Sequence, residues 1–248
     1  MQNKILFTGC SYSCGNPSFP YEFAQLIDDK ERPDFSLVKS YAYPGQSNSL
    51  ILKKVYDAIN EDKSENVLFV CQLTFLHRKG EYHDITNSWV DYQPEFIKSI
   101  PMINETDGEL SFPYHIEPNK TLAQSYTGNI DLDLPPDVTM ELKIWYETYL
   151  KYIFNEKEAF KFLMCQIDLL RAYVEGKNSK IVFIYWAEIN NMKQVVELKK
   201  RNFFNINYEY SMLKYTTKNN LCAPNDSHLS EYGMKNIAKE LYNFIYGK

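Results

Sequence analysis

The chain has 248 residues, 44% of them hydrophobic and 24% charged, enough for one sizeable α/β domain or two small ones and typical of a globular protein. A formal net charge of -5, a sequence pI near 5.5 and Lys and Arg scattered along the chain argue against a surface built to neutralise nucleic-acid phosphates. The apolar run after Lys4 is too short for a signal-peptide core or a membrane span, and the odd set Cys10, Cys14, Cys71, Cys165 and Cys222 lacks the pattern of a disulfide-stapled secreted domain, so the expectation is a cytoplasmic protein with buried free thiols and neither nucleic acid nor membrane as partner.

Residues 4–8 form a continuous apolar run that ends at Gly9, the pattern of a parallel strand covered on both faces. Phe23, Leu26 and Ile27 then recur at helical spacing over 21–28, behind Pro20 as a breaker. A second strand over 36–41 runs into the turn Pro44-Gly45-Gln46-Ser47-Asn48-Ser49, where Ser47 is placed to cap a helix with Leu50, Ile51, Val55, Ala58 and Ile59 on one face. The third strand, 66–76, is strongly apolar and carries Gln72 and Thr74 near its end. Periodicity is lost over about 77–138, and so long a stretch reads as a decorated insertion or lid with local strands or helices of its own.

Two helical stretches follow, 140–154 and 157–175, the second stopped by Gly176 as a C-cap. Their aromatics, Trp145, Tyr149, Tyr152, Phe160 and Phe162, read as core or insertion contacts. A fourth strand is expected over 180–186, a helix over 192–201, a fifth strand over 207–212, and a closing amphipathic helix over 230–246 capped by Ser230. The alternation of strand and helix, without an internal repeat or an interdomain linker, predicts a single α/β domain over 1–248 with a mostly parallel sheet of about five strands and helices on both faces.

Ligands of such sheets bind in the crevice outside the carboxyl ends of the strands, so the turn after the first strand, the Gly45 loop and the residues after Thr74 are expected to be neighbours. The first turn presents Ser11, whose hydroxyl is a weak nucleophile unless a base takes its proton. His228, in a loop just before the closing helix, is the histidine best placed to reach across the sheet end; His77, His83 and His115 belong to the insertion or its edge.

These residues resemble the SGNH hydrolases, the GDSL-type esterases and lipases. Gly9-Cys10-Ser11 stands where that family has its Gly-Asp-Ser nucleophile block, Gly45 looks like the glycine of its second block, and Asn225-Asp226-Ser227-His228 resembles its Asp-x-x-His block, with Gly233 following. The resemblance spans the first third and the last tenth of the chain and leaves out the insertion. It implies a three-layer α/β/α, flavodoxin-like fold without a cofactor or metal. It also implies a serine esterase in which Ser11 attacks a small ester, for instance an O-acyl group on a carbohydrate, with His228 as base and then acid and the backbone N–H groups of Ser11 and Gly45 holding the oxyanion. Similar block patterns are found in proteins of bacteria and tailed phages.

Three positions depart from the family pattern. Cys10 replaces the Asp beside the nucleophile. The Gly-x-Asn-Asp block is absent, leaving Gln72 or Asn48 as candidate side-chain oxyanion donors. Asn225 stands three before His228, so that either Asn225 or Asp226 would orient the imidazole; in a serine protease, exchanging that Asp for Asn costs about 10⁴ in turnover. The competing reading is a catalytically inactive SGNH-like module that binds a glycan or a protein partner through the insertion. A metal site at Cys10 and Cys14 lacks a second ligand pair, and a phosphate cradle over residues 9–15 lacks the P-loop Lys-Ser/Thr and the third glycine of a dinucleotide fingerprint.

Overall fold

The computed structural model describes residues 4–10, 13, 18–29, 37–42, 46–61, 66–83, 88–93, 96–100, 114–116, 144–145, 147–187, 189, 192–207, 211–224 and 228–247. The chain folds as an α/β protein around strand β1 (Lys4–Thr8), whose residues after Lys4 are all buried. It pairs in parallel with β2 (Leu37–Ser40) on one side and β3 (Val67–Leu73) on the other, Lys4 lying opposite both Leu37 and Val67. β3 pairs in parallel with β8 (Lys180–Tyr185), and β7 (Tyr114–Ile116) joins the far side of β2 antiparallel, giving the order β7-β2-β1-β3-β8.

Side chains alternate across these strands and feed two cores. Ile5, Phe7, Val38, Leu68, Val70 and Ile184 pack with α1 (Phe19–Asp29) and the closing helix α6 (Glu231–Tyr246). Leu6, Phe69, Cys71, Leu73 and Phe183 pack with α2 (Asn48–Glu61) and α3 (Glu156–Gly176) on the other face. Both faces of the sheet are therefore dry, which explains why β3 is apolar at nearly every position and buried at all of them.

The helix starts follow local hydrogen bonding. Leu50 N–H donates to Ser47 Oγ at 3.4 Å, and Gly233 N–H to Ser230 Oγ at 3.1 Å, as their sequences predict. Pro20 lies inside the first turn of α1 rather than ahead of it, where its missing N–H costs nothing; Ser18 precedes the helix and accepts from Tyr21 N–H at 3.4 Å.

Several expectations are corrected. Of the strand expected over 207–212, residues 208–210 lie outside the described residues; Ser211 caps α5 (Met212–Lys218), accepting from Lys214 N–H, and β7 (Tyr114–Ile116) supplies the antiparallel edge of the sheet. Gly176 is the last residue of α3, and the chain reverses at Asn178, whose φ of 54° is the left-handed conformation that asparagine tolerates. Of the aromatics assigned to core contacts, Phe160 is buried while Tyr152 and Phe162 are exposed. Cys165 is likewise exposed, whereas Cys10 and Cys71 are buried free thiols.

The insertion carries a second sheet, β4 (Lys79–His83), β5 (Ser88–Gln93) and β6 (Phe96–Ile100), paired antiparallel in that order. Helix α4 (Met192–Lys200) is joined to α3 by Arg201, whose Nε and Nη2 donate to the two carboxylate oxygens of Asp168 at 2.8 and 2.7 Å. No helix among the described residues is long and apolar enough to cross a membrane.

Candidate active site

Because β1, β2, β3 and β8 run parallel, Thr8, Ser40, Leu73 and Tyr185 end at one edge of the sheet. The chain leaving β1 passes through Gly9 and Cys10 into a turn closed by Ser13, whose N–H donates to the Cys10 carbonyl at 2.9 Å. Ser11 and Tyr12 lie between those two residues in the sequence; Ser11, Gly45, Asn225 and Asp226 are outside the described residues.

What surrounds the turn is a buried polar cluster. Gln72, the only polar side chain of β3, accepts from Ser13 Oγ at 2.5 Å and donates from Nε2 to Cys10 Sγ at 3.1 Å. Ser40, at the end of β2, donates to the Ser13 carbonyl at 3.3 Å. With the O and N of its amide exchanged, Gln46 would donate to the Gly9 carbonyl and accept from Lys54 Nζ, satisfying both polar atoms. Gln46 and Gln72 are both fully buried, so these bonds replace water that the groups have lost.

Gly9 makes the approach possible. A Cβ there would lie 2.8 Å from Ser13 Oγ and 2.9 Å from both Cβ and Oε1 of Gln72. The glycine that the sequence marks as part of a nucleophile block thus has a packing role: it lets β3 come against the turn.

Asn48 has a different task from the one expected of it. It opens α2, and its Oδ1 accepts from Thr74 N–H at 2.7 Å while its Nδ2 donates to the Thr74 carbonyl at 3.0 Å. This two-way pairing imitates a sheet ladder and pins the start of α2 to the chain leaving β3. Both candidate side-chain donors are consequently engaged inside the protein. The hydroxyl of Thr74 is buried beside them with no hydrogen-bond partner among the described residues.

His228 sits at the mouth of a short hairpin, where Ala223 N–H donates to its carbonyl at 2.8 Å and Cys222 bridges to Leu229. Leu229 and Leu221 belong to the same core as Phe7, Cys10 and Phe19, which ties the hairpin to the β1 side of the molecule. Ser230 then turns the chain into α6, donating from Oγ to the Leu221 carbonyl at 2.9 Å.

Sequence reasoning singled out Gln72, Asn48 and His228 and missed Ser13, Ser40 and Gln46. The available signal was polarity out of place: a Gln within an otherwise apolar strand must find partners, and small hydroxyl residues at strand ends are the ones that can reach it. A separate cavity of about 1070 Å³ lies between α3 and α4, lined by Phe160, Met164, Met192 and Val196 among others, and contains none of the predicted site residues. Among the described residues no group of three or more His, Cys, Asp or Glu is arranged to hold a metal.

The chain matches no protein-family model and no curated protein. Among solved structures it is similar to the protein YxiM of Bacillus subtilis, at 11% identity and a TM-score of 0.49, with 99% of this chain and 56% of that chain covered. It therefore spans little more than half the length of that protein.

Proposed function

We propose that the protein is a serine acyl hydrolase of the SGNH type on a flavodoxin-like, three-layer scaffold, cleaving a small ester such as an O-acyl group on a carbohydrate. The observation that carries the reading is that the turn after β1 meets the end of β3 at one sheet edge: Cys10 and Ser13 are both hydrogen-bonded to Gln72, and Ser40 of β2 donates to the Ser13 carbonyl. A crevice at that edge is where such sheets bind ligands. The free thiols at Cys10 and Cys71 support a reducing, cytoplasmic setting, and the acidic balance supports neither nucleic acid nor membrane as partner.

In this mechanism Ser11 Oγ attacks the ester carbonyl as His228 takes its proton, with Asp226 or Asn225 orienting the imidazole. The Gln72 amide donates to Cys10 and the Asn48 amide to Thr74, and the developing oxyanion is assigned to the backbone N–H groups of Ser11 and Gly45. One such donor is typically worth ~3 kcal/mol. The imidazolium then protonates the leaving alcohol, and water, deprotonated by His228, releases the acid and frees Ser11.

The competing reading is a binding module without turnover, favoured by one observation: each candidate amide already donates a hydrogen bond inside the protein. Fluorophosphonate labelling and hydrolysis of a short-chain aryl ester, by wild type, Ser11→Ala and His228→Ala, separate the two. Hydrolysis and labelling lost in both variants support the enzyme. Activity retained in both removes Ser11 and His228 from the chemistry, and inactivity of all three proteins favours the binding module.

A further inference from the structure

We infer that Gln72 is a positioning residue that holds the nucleophile turn in shape by gripping it on both sides of Ser11, in place of donating to the oxyanion. The functional half of this inference rests on the acyl-hydrolase reading; the structural half does not. Gln72 contacts the residue immediately before Ser11 through Cys10 Sγ at 3.1 Å and the residue two after it through Ser13 Oγ at 2.5 Å. The same two residues close on each other through the Ser13 N–H and the Cys10 carbonyl. The amide thus completes a ring of bonds around a four-residue turn.

Chemistry explains why an amide does this task. Ser13 needs an acceptor for its hydroxyl proton and Cys10 sulfur is met by a donor; a carboxamide offers one of each from a planar group. It carries no charge into a fully buried position, whereas a carboxylate there would have to be paired or protonated. β3 is fixed by parallel neighbours on both sides, so its side chain serves as a rigid post. A further contact, Ser40 Oγ to the Ser13 carbonyl, holds the turn from β2 on the Ser13 side.

The grip is tested by amide hydrogen exchange and ester kinetics on Gln72→Leu, Gln72→Glu and Ser13→Ala, all in the full chain. Loss of the grip is expected to speed exchange across residues 10–13 by about tenfold or more in Gln72→Leu while β8 keeps its wild-type rate. Ser13→Ala, which cuts one arm and leaves the core filled, is expected to move exchange the same way by less, and it decides the matter if Gln72→Leu does not fold. Gln72→Glu, whose buried carboxyl can accept from Ser13 and can donate to Cys10 only while protonated, should fall between wild type and Gln72→Leu at pH values where it holds its proton. In an active protein kcat falls in that order with KM within about twofold. Unchanged exchange at 10–13 in both Gln72→Leu and Ser13→Ala overturns the grip. A fall in kcat with unchanged exchange overturns it as well, in favour of a direct donor. If wild type hydrolyses no ester, the acyl-hydrolase reading fails while the exchange rates still decide whether Gln72 holds the turn.

Discussion

At Gly9 the absence of a side chain is what allows Gln72 Cβ and Ser13 Oγ to meet, since both would lie within 3 Å of an added methyl group. Gly9→Ala is expected to destabilise the protein by about 1–3 kcal/mol, the usual cost of forcing volume into a packed site. A urea titration measures it, and a midpoint equal to wild type would show that the turn relaxes without penalty. The sequence made Gly9 legible as the end of a strand and the start of a turn. It did not reveal Gln72 as its neighbour, because that contact crosses 63 positions and depends on the register that sets Thr8 beside Cys71. For the same reason Asn48 looked like a free amide: its partners Thr74 and Phe75 become visible only when α2 is docked beside β3.

The elements show a similar division. Starts of helices are written locally, and Ser47 and Ser230 were readable as caps because the bond each makes spans three residues. Ends were less readable. Among the described non-glycine residues the left-handed ones are all asparagines, Asn66 just before β3 and Asn178, Asn202 and Asn220 each two residues beyond a helix, in a chain with only nine glycines, so the usual Gly signal points to the wrong position. At the end of the strand expected over 207–212, Ser211 and Met212 instead begin a capped helix, which the sequence pattern did not mark. Gly233 in α6 is a case where the motif and the packing agree. A Cβ there would come 2.0 Å from the Leu221 carbonyl oxygen, which also accepts from Ser230 N–H and Oγ. Gly233→Ala must push α6 off the hairpin that carries His228, at about 3 kcal/mol, while Ser230→Ala removes the cap at about 1 kcal/mol. Thermal or urea unfolding of both variants checks the ranking, and a Gly233→Ala protein as stable as wild type would contradict the close approach.

For the whole molecule, the two dry faces of the sheet make stability sensitive to alkaline pH. Burial pushes the Cys71 thiol up to about 12, the Thr8 hydroxyl offsetting this in smaller part. Because the folded pKa lies above that of the unfolded chain, both states hold the proton below about pH 8.5 and Cys71 contributes no slope there. Above that value the unfolded chain loses its proton first, so stability falls as pH rises, by up to ~1.4 kcal/mol per unit, until the folded thiol ionises. Urea midpoints of wild type and Cys71→Val between pH 8 and 10.5 should diverge in slope, the variant losing less; parallel slopes would mean that Cys71 ionises as easily folded as unfolded.

The pairing of β3 with β8 has a consequence for how the chain is made. Between the two strands lies the stretch 74–179, on the order of 100 residues, which a ribosome adding about 5–20 residues per second takes roughly 5–20 s to deliver. During that interval one edge of a strand apolar at all but Gln72 has no sheet partner, a template for pairing with another nascent chain. The same pairing that closes this side of β3 in the finished protein leaves the newborn one in need of a chaperone, or of dilution, until β8 emerges.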